Sequence, residues 1–277
     1  MNLTENTIFI TGGGSGIGRG LAEAFHELGN TVIIAGRRKS KLDATTQANP
    51  GMHSLELDIA DSASISAVAK KLIADYPALN VLINNAGLML IDDAAGSVDD
   101  RLLTSTVATN LLGPIRLTAA LIEHLKKQER ATVIYNTSAL AFVPLALTAV
   151  YSATKAALHS YVLSQRYKLK ATSVNVLEMA PPWVQTDLLN SNEEPRAMPL
   201  KEFIEGTIKA LGTEAEEILV EQARPFRNNP GPHESALVTQ FNDMMIAPPQ
   251  PPSPAGTADR WAIADPKASR TPSPKPK

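Results

Sequence analysis

At 277 residues and 44% hydrophobic content, the chain is long enough for one large domain or two small ones with a substantial core. Lys+Arg 26 against Asp+Glu 28 leave a net charge of -2, so no global field draws it to nucleic acid or an anionic membrane, and neither is expected as a partner. The absence of cysteine removes disulfides, thiolate nucleophiles and cysteine-ligated zinc, and the five histidines form no H-x-x-H or H-E-x-x-H cluster, so no metal site is expected. No charged-to-apolar signal segment opens the chain. The most apolar stretch, Ala139 to Val150, is broken by Pro144 and Thr148 and falls short of the ~18 residues a spanning helix requires. A soluble, cytoplasmic protein is expected.

Thr7-Ile-Phe-Ile-Thr11 is a β-branched run that predicts a first strand, and Ile17 to Leu28 has the apolar periodicity of a helix. Between them lies T-G-x-x-x-G-x-G, with Gly12, Gly16 and Gly18; the G-x-G-x-x-G spacing fits no frame. Glycines let a backbone approach a pyrophosphate, and the free N–H groups at the start of the next helix favour the anion. Such a loop alone can be a plain tight turn, and its position between first strand and first helix is what gives it meaning. A second strand, Thr31 to Ala35, runs into Gly36-Arg37-Arg38-Lys39. An acidic residue there would bind ribose hydroxyls and repel a 2′-phosphate, whereas arginine pairs with that phosphate. With the acid missing, NADP is expected over NAD, Arg37 the main contact and Arg38 secondary; the alternative is a solvated basic start to the next helix.

His53 to Leu57 predicts a third strand ending at Asp58, followed by a helix from Ser62 to Tyr76 and a fourth strand, Val81 to Asn84, ending in Asn84-Asn85-Ala86-Gly87. Open α/β sheets place ligands at strand C-terminal ends, so Asp58 and Asn85 fall on the expected cofactor edge, though either could be a turn or cap residue. A long helix is predicted from Arg101 to Gln128. Pro114 cannot donate to the carbonyl of Asn110, which predicts a kink and leaves that carbonyl to another partner such as a bound water.

A fifth strand, Ala131 to Thr137, puts Ser138 at its tip; a helix carrying Tyr151 and Lys155 to about Tyr167 follows, then a sixth strand, Ser173 to Met179, and the loop Ala180 to Asp187. Residues four apart share a helix face, so the Tyr151 hydroxyl and Lys155 ammonium can reach one pocket. A free tyrosine titrates near ~10, and a nearby cation favours its phenolate, which would give a proton shuttle near neutral pH. Taken alone, Y-x-x-x-K is more often an amphipathic helix. Pro199 to Leu211 predicts another helix and Glu217 to Val220 a seventh strand. The alternation predicts one α/β domain over residues 1–246, a Rossmann-like doubly wound parallel sheet of about seven strands flanked by helices. From Ala247 the chain holds nine of its 20 prolines, and this 247–277 tail is expected to be disordered.

Together these residues resemble the short-chain dehydrogenase/reductase family in its compact branch, over Thr7 to about Val220. Gly12/Gly16/Gly18, Asp58, Asn84-Asn85-Ala86-Gly87, Asn110, Ser138, Tyr151/Lys155 and Pro181…Thr186 fall where that family has its motifs. Met179 to Asp187, Arg224-Pro-Phe-Arg227 and Phe241-Asn-Asp-Met244 are further similar to the DltE-type subgroup. The resemblance implies that Tyr151 exchanges a proton with the substrate oxygen, Ser138 hydrogen-bonds that oxygen, Lys155 depresses the tyrosine pKa and holds the nicotinamide ribose, and Asn110 keeps a relay water. It implies cofactor contacts at Gly12, Ile17, Gly18, Arg37, Asp58, Asn85, Tyr151, Lys155, Val184 and Thr186, and homo-oligomerisation, as dimer or tetramer, through the helices bearing Asn110 and Tyr151. Pro182 stands where the family commonly has glycine, and stiffens the loop around Val184.

The expected reaction is NADP-dependent hydride transfer between nicotinamide and a carbonyl or secondary alcohol, in the reductive direction. Met89, Leu90, Leu140, Phe142, Val143, Leu145 and Trp183 could line an apolar substrate pocket or serve as core and subunit contacts, and a fairly apolar ketone or aldehyde is expected. Two alternatives are an NADP-binding regulatory protein without turnover and a sugar-nucleotide epimerase or dehydratase. The first has no need of Ser138, Tyr151 and Lys155 together. The second typically has T-G-x-x-G-x-x-G, and Ser15 stands at its second glycine.

Overall fold

A computed structural model of the chain describes residues 1–228 and 234–246. Strands β1 (Thr7–Thr11), β2 (Thr31–Gly36) and β3 (His53–Glu56) alternate with helices α1 (Gly16–Glu27), α2 (Lys39–Ala48) and α3 (Ser62–Asp75). After β4 (Leu79–Asn84) come α4 (Asp100–Val107), α5 (Gly113–Leu125), β5 (Ala131–Asn136), α6 (Ala149–Leu169), β6 (Val174–Met179), α7 (Leu200–Leu211) and β7 (Glu217–Ile218). Two helices, α8 (Arg224–Arg227) and α9 (Glu234–Ile246), follow. All seven strands pair in parallel, in the order β3-β2-β1-β4-β5-β6-β7.

Parallel sheets bury both faces, and the strand side chains divide accordingly. Ile8, Ile10, Val32 and Ile34 point into one core with Leu21, Phe25 and Phe203. Phe9, Ile33 and Leu82 point into the other with Leu72, Leu117 and Leu121. Each such side chain contributes roughly 1.5–3 kcal/mol by leaving water. The strand order reverses between β1 and β4, and their C-terminal ends open the crevice in which a doubly wound sheet binds its ligand.

The predicted helix from Arg101 to Gln128 is three pieces: α4, a π-helical turn at Ala108–Leu112, and α5, which ends at Leu125. With no N–H at Pro114 the regular ladder is interrupted, and the Gly113 N–H bonds five residues back to the Ala108 carbonyl. A Cβ on Gly113 would lie 2.5 Å from the Ile59 carbonyl oxygen, so this turn also passes close under the β3–α3 connection. The seventh strand is shorter than predicted: only Glu217 and Ile218 pair with β6, and a 3-10 turn begins at Glu221.

Helices α8 and α9 have no counterpart among the predicted elements. Phe226, Leu237 and Phe241 pack against Ala139, Val143 and Leu145 in a third apolar cluster. Asn242 adds a two-point clamp, donating to the Pro144 carbonyl at 3.0 Å and accepting from the Ala146 N–H at 2.5 Å. The proline-rich segment from Ala247 lies outside the described residues. Among the described residues no helix is long and apolar enough to cross a membrane.

Candidate active site

The glycine turn is shaped by close approach. Gly12 and Gly16 have φ of +70° and +52°, a region L side chains rarely adopt, and a Cβ on Gly18 would sit 2.3 Å from the Gly12 carbonyl oxygen. Across the crevice, the Thr11 hydroxyl accepts from the N–H groups of Asn85 and Ala86 at 3.0 Å each, and the Asn85 amide donates back to the Thr11 carbonyl at 3.0 Å. These bonds tie the ends of β1 and β4 together and hold the sequence-predicted Gly12, Ile17, Gly18 and Asn85 in one wall. Asp58 lies at the end of β3, where its carboxylate accepts from the Ala60 N–H at 2.9 Å.

Ser15 at the start of α1 makes no side-chain cap, and no acidic residue occupies the helix's first turn. A helix start left with free N–H groups, a positive dipole end and a glycine cradle suits a pyrophosphate. Arg38 donates to the Ser15 hydroxyl at 3.2 Å, over the glycine turn, whereas the exposed Arg37 makes no such contact. Thr186 closes the other side, its Cβ 3.3 Å from where a Gly16 Cβ would stand. Val184 bridges in parallel to Met198 through bonds made by its neighbours, Gln185 N–H to the Met198 carbonyl at 2.9 Å and Met198 N–H to the Trp183 carbonyl at 2.8 Å. Val184's own N–H is thereby directed away from Met198, in the loop that Pro182 opens. These features fit a dinucleotide.

The four expected catalytic side chains converge beside this crevice. Ser138 sits just past β5, its hydroxyl accepting from the Leu140 N–H at 3.1 Å, and lies near enough to the buried Tyr151 hydroxyl to favour its ionised form. Lys155, 3% exposed, donates to the Asn136 carbonyl at 2.7 Å, and its Nζ lies 5.4 Å from the centroid of the Tyr151 ring. Asn110, in the π-helical turn, grips Leu88 with both ends of its amide, accepting from the N–H and donating to the carbonyl at 2.8 Å each. It also donates to Thr154 on α6 at 3.2 Å. A Cβ on Gly87 would lie 3.7 Å from the Asn110 amide oxygen and 3.8 Å from the Lys155 Nζ, so the β4 turn closes on both.

The expected electrostatics are corrected here. Burial pushes Tyr151 up to about 12, and the nearby Ser138 hydroxyl offsets this only in part. Burial likewise pushes Lys155 down to about 8. The ammonium is turned to a carbonyl and stands off the ring, so desolvation of the phenol outweighs the attraction expected from the i, i+4 spacing. Tyr151 is therefore held protonated at neutral pH.

Of the apolar residues considered for a pocket, Val143 and Leu145 are buried in the cluster under α9, while Met89, Leu140 and Phe142 lie partly exposed on its rim. Trp183 is engaged in its own loop, donating to Ser191 at 2.8 Å beneath the Arg196 guanidinium 5.0 Å away. Sequence reasoning missed Asp92, which accepts from the N–H groups of Ala149 and Val150 at 3.2 and 2.9 Å and so caps the helix bearing Tyr151. Its position 57 residues before Ala149 left no local capping signal.

A parallel sheet with a dinucleotide crevice and a Ser, Tyr and Lys at its mouth defines a class of nicotinamide-dependent oxidoreductase. Residues 6–197 match the short chain dehydrogenase family, and the chain belongs to it: an NAD(P)-dependent oxidoreductase acting on CH–OH groups. It is 38% identical over 248 residues to the uncharacterized oxidoreductase DltE of Bacillus subtilis, covering 87% of this chain and 98% of that protein. With a sulfoacetaldehyde reductase of Chromohalobacter salexigens it shares 31% identity over 184 residues, 65% of this chain and 73% of the other. A short-chain dehydrogenase of Burkholderia cenocepacia, solved in complex with NADP, superposes with a TM-score of 0.75 at 24% identity, over 90% of this chain and 100% of that one.

Proposed function

We propose that the protein is an NADPH-dependent reductase of a fairly apolar ketone or aldehyde. The observation that carries this is the convergence of Ser138, Tyr151 and Lys155 beside an uncapped helix start with a glycine cradle. Bound NADPH would supply the hydride. The chain's residues supply the rest. Ser138 and Tyr151 hold the carbonyl oxygen from two sides, and Tyr151, protonated at neutral pH, delivers its proton to that oxygen. Lys155 remains charged below about pH 8, holds the ribose and stabilises the tyrosinate left behind. Asn110 fixes the β4 turn against α6 and presents its carbonyl to a relay water. Gly12, Ile17, Gly18, Asp58, Asn85, Val184 and Thr186 form the dinucleotide wall, with Arg37 and Arg38 on the 2′-phosphate.

The apolar preference is supported by the rim of Met89, Leu140 and Phe142 above a packed floor. Leu103, Leu112, Leu163 and Tyr167 are exposed on α4, the π-helical turn and α6, which supports association through that face. The test is NADPH and NADH consumption with a panel of carbonyls of graded polarity. Faster turnover of apolar ketones with NADPH is expected. Preference for small charged carbonyls would overturn the substrate reading, and equal use of the two cofactors would overturn the NADPH preference.

A further inference from the structure

Behind the catalytic residues lies a buried carboxylate that the reaction does not use. Glu178, on β6, is 1% exposed, and both its oxygens are engaged. Oε1 accepts from the Thr137 hydroxyl at 2.6 Å, and Oε2 meets the His159 Nδ1 at 2.7 Å. A carboxyl group this deep needs partners for both its oxygens, and Thr137 and His159 supply them. Thr137 lies between Asn136, whose carbonyl holds Lys155, and Ser138. His159 lies on α6, four and eight residues past Lys155 and Tyr151, on the same helix face. The carboxylate thus joins the strand tip carrying Ser138 to the helix carrying Tyr151 and Lys155.

The surroundings reinforce this. Phe142, on the segment after Ser138, meets the His159 ring edge-on at 5.0 Å, and the Arg227 guanidinium covers Phe142 at 5.1 Å. Arg227 is in turn fixed by two bonds to Glu217 at 2.8 and 2.9 Å.

We infer that Glu178, with Thr137 and His159, is a positioning element that sets the distance between Ser138 and the Tyr151–Lys155 pair. The inference rests on the catalytic reading of those three residues. The Thr137 hydroxyl is the contact through which it acts on Ser138: removing it cuts the tip's tie to the carboxylate, while the Glu178–His159 pair and the backbone bonds from the Thr137 N–H to the Met179 carbonyl and from the Ala139 N–H to the Pro181 carbonyl, 2.8 Å each, stay in place.

Three substitutions test this: Thr137→Val, which keeps the shape and loses the hydroxyl; Thr137→Ser, which keeps the hydroxyl; and Glu178→Gln, which keeps an acceptor for Thr137 and a polar partner for His159. Turnover of the best ketone with NADPH should fall about tenfold or more in Thr137→Val with KM for NADPH unchanged, because small misplacements of reacting groups are costly. The primary isotope effect with 4-deuterated NADPH should rise. Thr137→Ser and Glu178→Gln should stay within about threefold of wild type. Independently of activity, amide hydrogen exchange over residues 138–142 in the cofactor-free protein should quicken about tenfold in Thr137→Val and remain slow in Thr137→Ser. Unchanged exchange and turnover in Thr137→Val would overturn the inference, as would equal losses in Thr137→Val and Thr137→Ser. If the wild-type protein reduces no carbonyl, the proposed function fails, while the exchange measurement still decides whether the carboxylate holds the strand tip.

Discussion

The two sides of the crevice are built by different means. The nucleotide side, from β1 to the β4 turn, is shaped by backbone: positive φ at Gly12 and Gly16, a Gly18 that admits no Cβ, and hydrogen bonds between Thr11 and Asn85. The substrate side is shaped by side chains distant in sequence, with Asp92 capping α6, Asn242 clamping Pro144 and Ala146, and Phe226 and Phe241 packed edge to face at 5.2 Å. A backbone-built site constrains residue type at fixed spacing and leaves a motif. A packed site constrains only volume and polarity, so it can change to suit another substrate while the first side stays the same.

Substitutions can break this contrast from either side. The largest effect is expected at the mouth: Tyr151→Phe should lower turnover by roughly 10²–10⁴-fold, the usual worth of a general acid, while NADPH binding measured by fluorescence stays within about twofold. On the nucleotide side, Gly18→Ala should weaken NADPH by about tenfold or more and cost roughly 1–3 kcal/mol in denaturant melts, since its Cβ would meet the Gly12 carbonyl at 2.3 Å. Gly29→Ala is the control. At φ +82° with nothing within 4 Å of the added carbon, it should cost about 1 kcal/mol of backbone strain and leave NADPH affinity unchanged. Arg37→Ala and Arg38→Ala should each weaken NADPH several-fold, on the order of a lost surface charge pair, with NADH titrations unaffected. Comparable losses for both cofactors would mean that neither arginine reads the 2′-phosphate.

The least direct effect on the site is a pH dependence of stability. Lys155 titrates at its ordinary 10.5 when unfolded and at about 8 in the fold, so between those values the unfolded chain binds the extra proton and stability rises with pH. Tyr151, raised from 10.0 to about 12, acts in the opposite sense above pH 10. Replacing Lys155 by Met should therefore flatten a rise in stability between pH 8 and 10 worth on the order of a few kcal/mol. A slope unchanged by that substitution would show that another group produces it.

What could be read in the sequence follows the same division. The strand–glycine–helix unit, the Tyr151–Lys155 spacing and the break at Pro114 were legible because each is a local rule about backbone or helix face. Even there, the form of the break, a π-helical turn at Ala108–Leu112 beside a close approach of Gly113 to Ile59, is not given by the missing N–H alone. The sign of the tyrosine's pKa shift was not legible, because spacing reports a neighbouring charge and says nothing of how deeply the phenol is buried. Glu178 stood within a strand as an ordinary charged residue. Its meaning depends on β5 and β6 lying side by side, which brings Thr137, 41 residues earlier, to its carboxylate. Helix α9 escaped notice because its sequence carries little amphipathic signal until the loop it covers is folded beneath it.

The most direct test of the account is deuterium transfer from 4-deuterated NADPH to the carbinol carbon of an apolar ketone, followed in the wild-type protein and in Tyr151→Phe. The account predicts stoichiometric, stereospecific label in the wild-type product and a rate lower by at least about a hundredfold in the variant. Transfer at similar rates in both, or none in either with NADPH bound, would contradict it.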